Sequence, residues 1–289
     1  LLEASERDGD NIMRNPLAVT VLLVTGLLLL GFASVSEAQL VLYDDFNSKP
    51  INPAKWSGFE SDFGPAAPNT ETARKIANGK LNLVLTSYGR TDSDTGTLGN
   101  ALVSLEINNP TVVTTIQVDV TVKSAKVRGC AFNTTATRAA ARVMGDFFSD
   151  GTSPGPGDRT GDIIAGTVSQ RDSLAGDQIV AFVARCTNAS CGSSTTLASQ
   201  VFADTWTKGV ADTIRMQWLP SPTKQFVFTL NPAGPSPETH TLSYAVSDTT
   251  PPVLPHRRLY TLTRPANCMS GPRTSATAKV VFDNVMVNP

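Results

Sequence analysis

From about residue 40 onward, apolar residues recur at every second position in short runs, and Gly, Pro, Asn and Asp break the runs. Successive side chains of an extended strand point to opposite faces, so each run describes a strand with one buried face. In 115–123, Ile116, Val118, Val120 and Val122 take one face while Gln117, Asp119 and Thr121 take the other. Leu81, Leu83 and Leu85 alternate in 80–86; Ile214, Met216 and Trp218 alternate ahead of Ser221-Pro222-Thr223-Lys224, and Phe226, Phe228 and Leu230 follow it, which reads as a hairpin. Further candidate strands are 40–46, 138–148, 162–170, 178–185, 241–246, 259–263 and 278–287. About a dozen evenly spread strands without helical periodicity predict one all-β antiparallel sandwich over 39–289. The Pro/Gly-rich stretches 149–161 and 231–237 are loops within that domain. Composition agrees: 17% of the 289 residues are charged, and 34 Thr with 24 Ser outnumber Lys, Arg, Asp and Glu together. That excludes a coiled coil, a helical bundle and a polybasic nucleic-acid binder.

Residues 17–33 are apolar apart from Thr20, Thr25, Gly26 and Gly31; Arg14 precedes them and Val35-Ser36-Glu37-Ala38 follows. A basic flank, an apolar stretch and a small-x-small site predict a cleaved signal peptide over 13–38, with the mature chain starting at Gln39. Residues 1–12 carry Glu3, Glu6, Asp8 and Asp10 against Arg7 alone, the wrong charge for a signal, and read as an overextended frame ahead of Met13. The rival reading is a short membrane anchor at the lower limit of spanning length. The signal predicts a secreted protein, extracellular or periplasmic and bacterial in type, with no membrane contact after cleavage. Without 1–38 the chain has 22 basic and 20 acidic residues, a balance that steers no polyanion and implies no nucleic-acid partner.

All four cysteines lie in the exported part, where disulfides persist. Cys186 and Cys191 enclose four residues and suit a local bridge, which leaves Cys130 with Cys268; three pairings are open in principle.

Three segments carry a resemblance. Leu42-Tyr43-Asp44-Asp45-Phe46-Asn47 with Asn52-Pro53-Ala54-Lys55-Trp56 resembles the opening strand and first Trp of the concanavalin A-like lectin/glucanase superfamily. Asn78-Gly79-Lys80-Leu81-Asn82-Leu83 resembles its second strand, and Val281-Phe282-Asp283-Asn284-Val285-Met286-Val287 its last. The resemblance implies a jelly roll whose first and last strands lie side by side, nearest in kind to laminarinase-type hydrolases and related sugar-binding modules. It also implies a structural calcium ion at positions matching Asp45, Gly79 and Asp283. The bland alternative is that both Asp residues are exposed edge positions.

The laminarinase-like signature Glu-x-Asp-x-(x)-Glu places its carboxylates on one strand face, so that an acid and a nucleophile flank the scissile bond. The mature chain has four Glu (Glu60, Glu71, Glu106, Glu238), none with a second Glu four or five residues away. Gly151-Thr152-Ser153-Pro154-Gly155 matches a nucleophile elbow as a string, but Pro154 has no N–H for an oxyanion hole, so it reads as a turn. Asp92-Ser93-Asp94-Thr95-Gly96 lacks the closing Glu of a calcium loop, and His240 and His256 sit in Pro-rich surroundings that read as loops. The expected function is therefore non-catalytic binding of a polysaccharide or another extracellular surface ligand. Gln117, Asp119 and Arg142, which point off the apolar faces of their strands, and Phe59 and Phe63, in an early loop, are the candidate contacts; ordinary sheet surface is the alternative for each. A divergent glycoside hydrolase or polysaccharide lyase, and a structural envelope or filament role, are the competing functions.

Overall fold

The computed structural model describes residues 39–62 and 70–288, and for 59–62 the backbone alone. The expected signal peptide, the acidic stretch before it and Phe63 lie outside the described residues.

Among the described residues, fifteen strands form two antiparallel sheets. One holds β1 (Val41–Asp44), β3 (Thr70–Ala77), β4 (Lys80–Tyr88), β6 (Thr115–Arg128), β11 (Ala211–Leu219), β12 (Gln225–Leu230), β13 (Glu238–Ser243) and β15 (Ser275–Val287), in the order β13-β12-β11-β6-β15-β4-β3, with β1 also on β15. The other holds β2 (Trp56–Asp62), β5 (Ala101–Ile107), β7 (Arg138–Ser149), β8 (Asp162–Asp172), β9 (Gly176–Cys186), β10 (Ser194–Val201) and β14 (Arg257–Arg264), in the order β10-β9-β8-β7-β14-β5-β2. Val41 pairs with Val287, so the first and last strands are neighbours, and this jelly-roll sandwich is the architecture the resemblance implies. Among the described residues no helix is long and apolar enough to cross a membrane.

The alternating apolar positions meet between the sheets. Leu81, Leu83, Leu85, Ile116, Val118, Val120, Met216, Phe226, Phe228 and Phe282 from one sheet face Val103, Leu105, Val143, Phe148, Ile163, Ile179, Val183 and Leu259 from the other. The opening motif has a local cause. Asp44 accepts the Phe46 N–H at 2.8 Å and the Trp56 indole N–H at 2.7 Å, while Phe46 stacks on Trp56. Phe46 takes a left-handed φ of 52°, so β1 stops at Asp44 rather than at residue 46. Asn78 and Gly79 both have positive φ between paired Ala77 and Lys80, a two-residue hairpin turn.

Both expected disulfides form: Cys130–Cys268 with Cα atoms 5.5 Å apart, and Cys186–Cys191 with 4.8 Å. The former joins the segment after β6 to the loop ahead of β15 and closes a loop of 138 residues.

Candidate functional site

The seven-stranded sheet has a second apolar cluster on the face turned away from the core. Leu102, Met144, Ile164, Ala184, Cys186, Tyr260 and Leu262 form it, with Phe182 and Cys191 packed against it. Parity explains the placement: Leu259 points into the sandwich, so Arg258, Tyr260, Leu262 and Arg264 point out. The register aligns Ser104, Tyr260, Arg142 and Val168 in one cross-strand row, and Phe59 pairs with Ser104 at its end. The clamped turn at Cys186–Cys191 stands on one side of this floor, contributing Ser190, Cys191 and Gly192; Thr97, Gly99 and Asn100 stand on the other. They enclose a cavity of about 390 Å³.

Four arginines line it: Arg142, Arg159, Arg258 and Arg264. Two are neutralised from below. Asp146, fully buried, lies 2.6 Å from Arg159 and 3.5 Å from Arg258; Glu106 lies 3.6 Å from Arg258 and accepts or shares a proton with His256 at 2.7 Å. Burial pushes the Glu106 carboxyl up, but the His256 hydrogen bond and Arg258 outweigh it and hold it below the ordinary glutamate value. Asp162, 3.6 Å from Arg159, goes the other way: burial raises it, the Val253 N–H opposes, and Asp146 adds to the rise.

The other two arginines have no carboxylate partner among the described residues. Arg142 donates to the Tyr260 hydroxyl at 3.1 Å, and its buried Nε has no hydrogen bond. Arg264 reaches only Thr97 Oγ1, at 3.3 Å; burial lowers its pKa, and the like charges of Arg138 and Arg142 lower it further. Desolvated like charges are unfavourable unless an anion intervenes.

The sequence candidates scatter. Arg142 sits in the cavity, and Phe59 lies on β2 rather than in a loop, because residues 56–62 pair with β5 and bring it to the end of that row. Gln117 and Asp119 lie on the outer face of the opposite sheet and are occupied there: Asp119 accepts from Thr213 at 2.6 Å and from Asn284 at 2.8 Å, and Gln117 contacts the Met286 sulfur at 3.5 Å. They cannot share a surface with Arg142. The matched calcium positions are likewise engaged. Asp45 accepts the backbone and side-chain N–H groups of Asn47, and Asp283 accepts from the Lys80 ammonium and the Asn284 N–H. Asn47 packs over Gly79 where a Cβ would sit. An ammonium thus meets the charge that a calcium ion would meet, and the residues present do not fit the ion.

The remaining motifs are structural. Ser153 donates to the carbonyls of Gly155 and Asp158, closing a turn. Asp94 caps the Met269 and Ser270 N–H groups beside the long disulfide. His240 lies on β13, not in a loop, paired with Glu238 at 2.9 Å. Arg258, Arg264, Tyr260 and Arg159 were absent from the sequence candidates. The strand placed at 259–263 stops one residue short of an arginine at each end, and extending the alternation would have exposed the pattern Arg-x-Tyr-x-Leu-x-Arg.

No protein-family model and no curated protein sequence matches the chain. Solved structures similar to it include the potassium-bound carbohydrate recognition domain of Emp46p (11% identity, 84% of this chain and 96% of that one, TM-score 0.42). A prokaryotic β-1,3-1,4-glucanase (lichenase) from a mouse hindgut metagenome is also similar (11%, 85% and 98%, TM-score 0.41). So is winged bean acidic lectin complexed with methyl-α-D-galactose (11%, 87% and 99%, TM-score 0.39). The jelly-roll assignment itself rests on the strand order and the β1–β15 pairing.

Proposed function

We propose that this chain is an exported glycan-binding protein whose ligand is an acidic polysaccharide, held on the outer face of the seven-stranded sheet. The observation that carries the reading is the pair Arg142 and Arg264, half-buried over an apolar floor without a carboxylate partner among the described residues. A guanidinium presents a planar fork matched to carboxylate, and the Leu102, Tyr260 and Leu262 surface suits the C–H faces of sugar rings. The near-neutral total charge is compatible with this, because the arginines act locally.

The test is binding to polygalacturonate and to neutral laminarin, with wild-type protein and the Arg142→Gln/Arg264→Gln double variant. Polygalacturonate should bind and laminarin should not, and the double variant should weaken binding. A charge-assisted hydrogen bond contributes about 1.5–3 kcal/mol, or roughly ten- to hundredfold per arginine. Equal binding of both polymers would remove the acidic ligand from the reading, and binding to neither would leave a structural envelope role.

A β-eliminating lyase is the second reading, favoured by the Tyr260 hydroxyl lying beside Arg142. That hydroxyl, however, donates to the Met144 sulfur at 2.7 Å, so its proton is already placed. Ultraviolet absorbance from an unsaturated product in the same assay would move the chain into that class. A retaining hydrolase fits less well: it needs two carboxyl groups facing the scissile bond, and no Asp or Glu lines this cavity among the described residues.

A further inference from the structure

A second cavity, of about 300 Å³, lies at one end of the sandwich and does not share the arginines described above. Its walls are Phe147 and Phe148 of β7, Trp218 of β11, and Pro251, Pro252 and Pro255 of the loop leading to β14. Phe148 stacks on Trp218 with ring centroids 5.5 Å apart, so the two sheets meet across aromatic faces here. Arg257 shares the polar wall with Asp146, Asp248, Thr111, Thr249 and Thr250.

Arg257 is 1% exposed, among the largest fully buried side chains described. Its Nε donates to the Val113 carbonyl at 2.8 Å, and its Nη1 donates to the carbonyls of His256 and Asp146. Its Cζ sits 3.7 Å from the centroid of the Phe147 ring. No carboxylate lies within ion-pairing distance among the described residues, and Nη2 makes no hydrogen bond there. The Asp146 side chain is turned onto Arg159 and Arg258 instead. Asp248, also in the wall, has both oxygens engaged by Ser221 and Tyr244. The backbone makes room for this arrangement: a Cβ on Gly145 would fall 2.6 Å from Arg257 Cδ and 2.9 Å from the His256 carbonyl. A buried guanidinium satisfied only by neutral carbonyls and a ring face retains an uncompensated charge. Burial accordingly pulls the Arg257 pKa down to about 9, with Asp146 only partly opposing it.

We propose that this cavity binds a small organic carboxylate with a flat, apolar body, its carboxylate on the Arg257 guanidinium and its ring among Trp218, Phe147 and Phe148. Charge complementarity fixes the head group, and the aromatic and proline walls fix the body.

The experiment titrates benzoate and its neutral isostere benzyl alcohol into the full chain, followed by calorimetry and tryptophan fluorescence. Benzoate should bind saturably and at least about tenfold tighter than the alcohol, as expected for a desolvated charge-assisted contact. Thr249→Trp, at an exposed mouth position, should abolish benzoate binding without touching the core, and Arg257→Gln should equalise the two ligands if it folds. The Arg142→Gln/Arg264→Gln variant should leave benzoate binding unchanged, which separates this cavity from the glycan face. Equal affinity for benzoate and benzyl alcohol, no saturable benzoate binding, or benzoate binding that survives Thr249→Trp would each overturn the proposal.

Discussion

The two outer faces of this sandwich follow the same alternating code and end in opposite chemical states. On the eight-stranded sheet, outward polar groups answer one another across strands: Thr86 with Thr277, Thr229 with Thr239, Thr213 with Asp119, Lys80 with Asp283. On the seven-stranded sheet the central outward positions form an apolar floor, and two of the four arginines above it lack a carboxylate among the described residues. Satisfied polar pairs are what a surface needs for solubility and register. Buried charge left over after such pairing costs stability, and it persists where a ligand uses it.

The largest expected effect comes from removing the carboxylate beneath the arginine face. Asp146→Ala leaves Arg159 and Arg258 short of their shared counter-ion in a desolvated site, and breaking a buried pair costs about 3–5 kcal/mol. Asp119→Ala on the opposite face removes two hydrogen bonds that water can replace in part, at a cost of about 1 kcal/mol. Urea unfolding of both variants reads the difference. Similar losses would mean that the two faces are not energetically distinct.

The unpaired arginines should behave in the opposite way. Arg264→Gln relieves repulsion from Arg138 and Arg142, so stability should stay level or rise by up to about 1 kcal/mol while acidic-glycan binding falls. Thermal melts and binding isotherms on one preparation separate the two effects. A variant that loses stability along with binding would show Arg264 to be part of the scaffold.

Acidification gives a smaller effect of predictable sign. The folded pKa of Glu106 is depressed, so its contribution is fully present above the unfolded value, near 4.3, and is lost as pH falls through the folded value. Glu106→Gln should therefore flatten the acid limb of the stability curve by about 1 kcal/mol. Asp150, Asp172 and Asp248 are among the other depressed carboxylates, which keep the remainder of that limb. Wild type and variant with parallel acid limbs would remove Glu106 from the linkage.

The fold was legible in the chain because alternation, turn residues and two terminal motifs all act locally. Among the strands that escaped, β5 is buried on both faces and β10 is exposed on both. β5 is buried at six of its seven positions, so its apolar residues do not alternate; β10 is exposed at seven of eight, so they hardly appear. β3, a polar edge strand, was missed for the same reason as β10. β13 runs from Glu238 to Ser243 rather than over 241–246, because Tyr244 turns inward to bond Asp248 and Trp218. The site was half legible. Arg142 could be placed off an apolar face, but whether two outward residues share a surface depends on which sheet each strand joins. No local pattern encodes that, so Gln117 and Asp119 were grouped with a residue on the other side of the molecule. Total charge concealed the rest, since it pools arginines that lack a carboxylate partner among the described residues with arginines that are already paired.

The smallest expected effect concerns the opposite face, at the positions where a structural calcium was anticipated. Asp283 pairs in register with Asp119, so two carboxylates do approach each other on neighbouring strands and need a positive charge nearby. Lys80 supplies it from the start of β4, and Asn284 bridges by donating its backbone N–H to Asp283 and its side chain to Asp119. Adding EDTA to protein purified in calcium should therefore leave the melting temperature unchanged. Lys80→Ala is the sharper variant: it frees the Asp283 carboxylate, and calcium should then raise the melting temperature of the variant while leaving wild type unmoved. A wild-type melt that drops on chelation would show that the ammonium does not satisfy this face. It would also weaken the contrast between a paired surface and an unpaired one.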